Sequence, residues 1–209
     1  MSQIFIRIST ILILFFFLFP ASTIKAEVLQ LDPKISITVP NGWERVNTGF
    51  ASANAEVTRI FDCVVEDPAQ LITVGWKTES DGRVAASFCV SYQKSGIGKV
   101  RSLLRSSKDR EREVIAAKFL DSFAGKLKSE YKKRKMQVTD LSADLLEFGD
   151  GFVVVMDGKI VDGPSTRLNS TTVYLQGDAL LRISFVYDTS AHASVVEQLD
   201  AIPLSVNWK

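Results

Sequence analysis

The stretch Ile35-Ser36-Ile37-Thr38-Val39-Pro40-Asn41-Gly42-Trp43 decides the fold. Ile35, Ile37 and Val39 alternate with Ser36 and Thr38, and a two-residue period places the three aliphatics on one face of a half-buried strand. Pro40-Asn41-Gly42 ends that strand as a turn, because proline has no N–H for a ladder and Asn-Gly accepts turn backbone angles. Trp43 follows the turn and is expected to be the most exposed of the three tryptophans. Trp76 and Trp208 share strand faces with aliphatics, which predicts core positions for both.

Downstream, residues 44–55 are small or polar and read as loop, and residues 57–65 are apolar enough for a strand that Asp67-Pro68 breaks. Residues 71–77 form the next strand, Asp81-Gly82 a hairpin turn, and Val84, Ala86, Phe88, Val90 and Tyr92 one face of the strand after it. The period then changes. Ile115, Phe119, Phe123, Leu127 and Tyr131 recur at four-residue intervals, predicting a long helix over residues 109–136 with a core-facing stripe. Ser106 and Asp109 have capping-box spacing at its start. Strands are expected again at residues 144–148, 152–156, 159–161, 170–176 and 179–187, with Gly149-Asp150-Gly151, Asp157-Gly158 and Gly177-Asp178 as turns. Asp188, Thr189 or Ser190 can cap a short helix through Leu199, and Leu204, Val206 and Trp208 mark a closing strand. Strands, helix, strands, helix, strand describe an α+β fold with a mainly antiparallel sheet flanked by helices.

The strand and Pro-x-Gly-Trp turn at residues 35–43 resemble the opening of the PsbP-like (Mog/PsbP) proteins. The later order of a mid-chain helix, antiparallel strands, a short helix and the closing Leu204-Ser205-Val206-Asn207-Trp208 is similar too, so the resemblance spans about residues 30–209. It implies a PsbP-like α/β/α sandwich. It also implies action by binding, since the family holds photosystem accessory proteins, a Ran-binding nuclear protein and bacterial envelope proteins. It supplies no shared catalytic residues.

Residues 1–26 read as a secretory signal peptide. Arg7 gives the positive charge, residues 11–19 an unbroken apolar run, Pro20 ends it, and Ala26 offers a small residue for cleavage. The run is shorter than the roughly 20 residues that span a bilayer, so no transmembrane segment is expected in the mature chain. One PsbP-like domain over residues 27–209, periplasmic or secreted, is the expected organisation. That segment carries 23 basic and 24 acidic residues, a balance that argues against polybasic nucleic-acid binding. Locally the balance fails: residues 94–135 hold 14 Lys/Arg and 5 Asp/Glu. Such a cluster is either a solvated helix face or a docking surface for an acidic partner or anionic membrane. Lys132, Lys133 and Arg134 also complement the negative end of the helix dipole.

Cys63 and Cys89 are the two cysteines, and in an oxidising compartment they would form one disulfide, or remain two separate buried thiols. Closing that 27-residue loop would stabilise the fold by about 3.5 kcal/mol in the chain-entropy model. Asn169-Ser170-Thr171 is a glycosylation acceptor where the host modifies secreted proteins. Catalytic signatures are missing. His192 is the one histidine, with Ser190, Ser194 and Asp188 nearby but no Gly-x-Ser-x-Gly elbow. One His and two distant Cys fall short of a zinc set. The Asp-Gly pairs at Asp150, Asp157 and Asp162 bear calcium-type carboxylates on loops, but the EF-hand spacing is absent and they read as hairpin turns. Glu147 and Asp150 flank one turn, and Gly96-Ile97-Gly98-Lys99 is too short for a phosphate loop. No cofactor signature is present.

The expected function is a periplasmic or secreted, non-enzymatic binding or accessory protein. Its contact surface would be Lys126, Lys128, Lys132, Lys133 and Arg134, facing an envelope protein or anionic surface. The alternative is an envelope hydrolase whose active site carries no recognisable motif.

Overall fold

Residues 26–47, 53–61, 68–94, 98–106 and 109–209 are described by the structure, a computed structural model. Strands β1 (Ala26–Asp32), β2 (Ile35–Pro40) and β10 (Asn207–Trp208) form a small sheet in the order β1-β2-β10. A seven-stranded sheet contains β3 (Glu44–Asn47), β4 (Leu71–Thr78), β5 (Val84–Lys94), β6 (Gln137–Phe148), β7 (Gly151–Asp162), β8 (Ser165–Gln176) and β9 (Ala179–Asp188). Its order is β3-β4-β5-β9-β8-β7-β6, and every pairing in both sheets is antiparallel. The helices among the described residues are α1 (Ala55–Phe61), α2 (Gly98–Ser106), α3 (Asp109–Lys133) and α4 (Ala193–Leu204). The α+β class with a mainly antiparallel sheet is therefore as the sequence implied.

Both faces of the large sheet are covered. On one, Ala86, Phe88 and Val90 of β5 and Leu181, Ile183 and Phe185 of β9 meet Ile35, Ile37 and Val39 of β2 and Leu199 and Ile202 of α4. On the other, Val74 and Trp76 of β4 and Val186 of β9 meet Val57, Ile60 and Phe61 of α1 and Leu127 and Tyr131 of α3. Leu104 of α2 extends that layer over Phe152, Val154 and Met156 of β7. Burial of these apolar side chains is the main favourable contribution, at about 25 cal/mol per Å².

Trp43 ties the layers together, and it is buried rather than exposed. The turn at 41–43 folds it back under the sheet, where its ring meets Phe88 edge-on at 5.4 Å. Its indole N–H donates to Gln198 Oε1 of α4 at 2.7 Å, and Lys77 lies 5.7 Å from its ring centroid. Two further bonds seat α4: Thr38 N–H donates to Ser205 Oγ at 2.8 Å, and Tyr174 O–H donates to the Pro203 carbonyl at 2.6 Å. Trp76 is buried as expected, and Trp208 is half-buried against the β2 side of the core.

Several expected elements differ. Residues 55–61 are helical, not strand; Val57, Ile60 and Phe61 have i, i+3, i+4 spacing, and Asn54 Oδ1 accepts the Glu56 N–H at the helix start. Asp157-Gly158 is no turn. Strand β7 runs through it, with Gly158 opposite Asn169, and the turn falls at Gly163 with φ +59°. Strand β6 begins at Gln137, earlier than expected. Ser106 ends α2, its hydroxyl donating to the Leu103 carbonyl, so it does not cap α3. Helix α3 stops at Lys133, where Lys135 at φ +61° lets Met136 N–H return to the Tyr131 carbonyl. Leu204 ends α4 and is 79% exposed, leaving only Asn207–Trp208 as closing strand.

Gly75 lies opposite Phe88 in the β4–β5 register, and a Cβ there would sit 2.3 Å from the Phe88 ring. Gly75→Ala is therefore expected to lower stability by about 1–3 kcal/mol in denaturant unfolding. Phe88→Leu added to it should recover part of the loss, and strictly additive losses would refute the packing account.

Candidate functional site

Helix α3 sets the charged surface. Leu127 is 5% exposed and Tyr131 fully buried, which orients the helix and turns the opposite side outward. Lys126, Lys128, Lys132 and Lys133 are exposed on that side, and Arg134, just beyond the helix, is half-buried. Lys133 pairs with Glu130 three residues back on the same helix. Among the described residues, Lys128 and Lys132 have no ion-pair partner. The positive charge at this end of α3 is thus not neutralised across the domain by acids on other elements at those two positions.

Sequence reasoning missed a second feature. A groove of about 470 Å³ opens where the β1–β2 turn and β10 meet the ends of β5, β8 and β9. Asp32, Lys34, Tyr92, Gln176, Asp178 and Trp208 line it. These positions come from four distant stretches of chain, so no local motif announces them. Asp32 accepts the Lys34 N–H at 3.2 Å and pairs with Lys94 at 3.4 Å. The Lys34 N–H bond holds its carboxyl below the usual range; desolvation opposes this, and Lys94 and the Tyr92 hydroxyl add to the lowering.

The catalytic candidates are engaged in structure. His192 is the N-cap of α4: its Nδ1 accepts the Ser194 N–H at 3.3 Å and lies 2.9 Å from Ser194 Oγ. Asp188 accepts both the N–H and the hydroxyl of Ser190, at 3.0 and 2.8 Å. The carboxylate that would complete a triad therefore closes a local turn instead. Asp150 accepts from Gln176 Nε2 at 3.0 Å and pairs with Arg105 at 3.4 Å, and Asp162 pairs with Arg59. Asp150 precedes β7 and Asp162 is its last residue, about 40 Å away along an extended strand, so the Asp-Gly pairs do not converge. Among the described residues no three His, Cys, Asp or Glu side chains gather around a point. Gly98 opens α2, its N–H donating to Asp178 Oδ1 at 3.1 Å, whereas Gly96 and Ile97 lie outside the described residues.

Cys89 is a free, buried thiol on the α1/α3 side of β5, and burial pushes it up to about 12. Cys63, its expected partner, lies outside the described residues, as do residues 1–25 of the expected signal peptide. Asn169 of the sequon is 5% exposed in the middle of β8, paired with Gly158 on one side and Val186 on the other. Its amide donates to the Phe185 carbonyl at 3.4 Å, so the folded chain offers no acceptor there.

The site geometry stands on a recognisable frame. No protein-family model and no curated protein matches the chain. Among solved structures, the solution structure of cyanobacterial PsbP (CyanoP) from Synechocystis sp. PCC 6803 aligns with a TM-score of 0.54 at 11% identity. That alignment covers 91% of this chain and 96% of CyanoP, so the protein has a PsbP-like fold. LpqN, involved in cell envelope biogenesis of Mycobacterium tuberculosis, aligns at TM-score 0.46 and 8% identity over 88% of this chain and 90% of its own. The Ran-binding protein Mog1p of Saccharomyces cerevisiae aligns at 0.42 and 14% identity over 88% and 96%.

Two outcomes follow from these placements. His192→Ala should cost about 1 kcal/mol of stability by removing a cap, while His192→Asn, a good N-cap, should cost little in a thermal melt. Equal losses in both would mean the imidazole does something other than cap. In a Cys63→Ser variant, Cys89 should stay unreactive toward a disulfide reagent at pH 8 until guanidinium unfolds the chain. Rapid native-state labelling would contradict its burial.

Proposed function

We propose that residues 1–26 direct export and are removed, and that residues 27–209 act as one domain in the periplasm or outside the cell. The domain is a non-catalytic binding or accessory protein. Its contact surface is the outer side of α3 and the residue following it: Lys126, Lys128, Lys132, Lys133 and Arg134. One observation carries the reading. Leu127 and Tyr131 anchor α3 in the core, and the lysines around them are turned to solvent, two of them without an acid partner among the described residues. A fixed helix presenting several cations side by side suits carboxylates on a partner protein. Cleavage after Ala26 would leave Glu27, which pairs with Arg45 at 2.5 Å and ties β1 to β3. The PsbP-like fold is compatible with this reading, and no helix among the described residues is long and apolar enough to cross a membrane. The competing hydrolase reading draws no support from His192 or Asp188, both occupied by local structural bonds.

Capture from envelope extract by the immobilised mature protein, with mass spectrometry of what is retained, tests the surface. The expected result is an acidic protein held at low ionic strength and released at high salt. Lys128→Glu/Lys132→Glu/Lys133→Glu should weaken that capture by about tenfold or more, while the lost Glu130 pair and the reversed helix-end charges lower the melting temperature by only a few degrees. Capture indifferent to salt and to charge reversal would remove α3 as the contact surface. Intact mass of the exported chain tests the processing: a chain beginning at Glu27 is expected, and a retained leader would refute it.

A further inference from the structure

The groove at the open end of the small sheet has an uneven supply of hydrogen-bonding groups. Its floor is apolar and aromatic, with Ile35, Ala179, Tyr92 and Trp208 lining it. The three aspartates around it each hold a partner of the chain. Asp32 takes the Lys34 N–H and pairs with Lys94, Asp178 takes the Gly98 N–H, and Asp150 takes the Gln176 amide and pairs with Arg105. The donors are not matched in the same way. Lys34 is exposed on the rim and has no ion-pair partner among the described residues. The Lys94 side chain is 77% exposed and its ammonium, with three donors, meets Asp32 only at 3.4 Å, which leaves it able to serve a second acceptor. Among the described residues the buried Trp208 indole N–H has no acceptor, which is a costly arrangement for a donor.

We propose that this groove binds a small organic anion, a carboxylate carried on an aromatic or apolar body. The body lies on the Tyr92 and Trp208 side, and the carboxylate meets Lys34 and Lys94. The volume of about 470 Å³ falls within the range of small-molecule sites, about 300–1,000 Å³. Asp32 and Asp150 are balanced by Lys94 and Arg105, and Asp178 holds the Gly98 N–H at the α2 end. Among the described residues, the charge left without a partner beside the Trp208 end of the aromatic floor is therefore the Lys34 ammonium, which favours an anion there. The site is separate from the basic side of α3, so the two assignments stand or fall independently.

The test uses 1-naphthoate as probe and 1-naphthylmethylammonium as its cationic counterpart, read by the indole N–H resonances of the three tryptophans in a two-dimensional NMR titration of the mature protein. Trp43 and Trp76 are buried and serve as internal references. The Trp208 resonance is assigned by its disappearance in Trp208→Phe. Saturable movement of the Trp208 resonance alone by naphthoate is expected, with the cation bound about fivefold more weakly or worse. Lys34→Met should reduce naphthoate affinity about fivefold, without displacing the ligand-free Trp208 resonance and without affecting the cation. Lys128→Glu/Lys132→Glu/Lys133→Glu should bind naphthoate as the unaltered chain does. Equal affinity for the two charges, parallel movement of all three resonances, or no saturable movement at millimolar probe would each overturn the assignment.

Discussion

The ring of Phe88 lies across Gly75, and much of the architecture depends on that contact. A side chain on β4 would occupy the same space, since an ideal Cβ would come within 2.3 Å of the ring. With glycine there, Phe88 lies flat enough for Trp43 to meet it edge-on, and Trp43 in turn holds Gln198 of α4. A line of contacts thus crosses from the large sheet, through the turn after β2, to the last helix. The Lys77 ammonium, which donates to the Gly42 carbonyl and lies over the Trp43 ring, secures the turn from the other side. Because close-packed interiors tolerate little change in volume, this line is rigid. It fixes where the small sheet sits on the large one.

The two candidate surfaces depend on that placement in different ways. The groove exists because β2 and β10 are pinned over β5 and β9 by Ile37, Val39 and the bonds from Thr38 and Tyr174, while the ends near Asp32 and Trp208 remain open. The basic side of α3 is a consequence of the opposite layer. Tyr131 and Leu127 fill the space between α1 and the sheet, and whatever follows them at the intervening helical positions faces solvent. A Lys-rich sequence at those positions is compatible with the fold but not required by it. That is why charge reversal there separates recognition from stability.

Residue patterns disclosed the central strands well. Ile35, Ile37 and Val39 alternate because β2 has one core face, and Leu181, Ile183 and Phe185 do so in β9 for the same reason. The failures have physical causes. Val57, Ile60 and Phe61 satisfy a helical period as well as an apolar run, and the helical start at Asn54 was the discriminating signal. Asp157-Gly158 has turn chemistry, yet Gly158 sits in a continuous ladder against Asn169, where Thr139 and Val138 of β6 crowd close to it. A position just after a turn predicts partial exposure for Trp43, but a turn's sequence does not state which way the chain re-enters. The groove was not legible at all. Its members are brought together by the sheet order, and strand order is a long-range property that no window of sequence carries.

The position of Asn169 makes the chain a recorder of its own folding history. Once β7, β8 and β9 have paired, the asparagine lies inside the ladder with its amide on the Phe185 carbonyl, and a sugar-transferring enzyme has nothing to reach. Before pairing, the same tripeptide is an ordinary acceptor. A glycan attached at that moment would stand where the β8 side chain must be buried, and the sheet could not close around it. Made in a glycosylating secretory pathway, the protein would divide into two populations: unmodified molecules that paired β8 before the enzyme arrived, and marked molecules barred from the native sheet. The ratio between them would measure a race between strand pairing and sugar transfer.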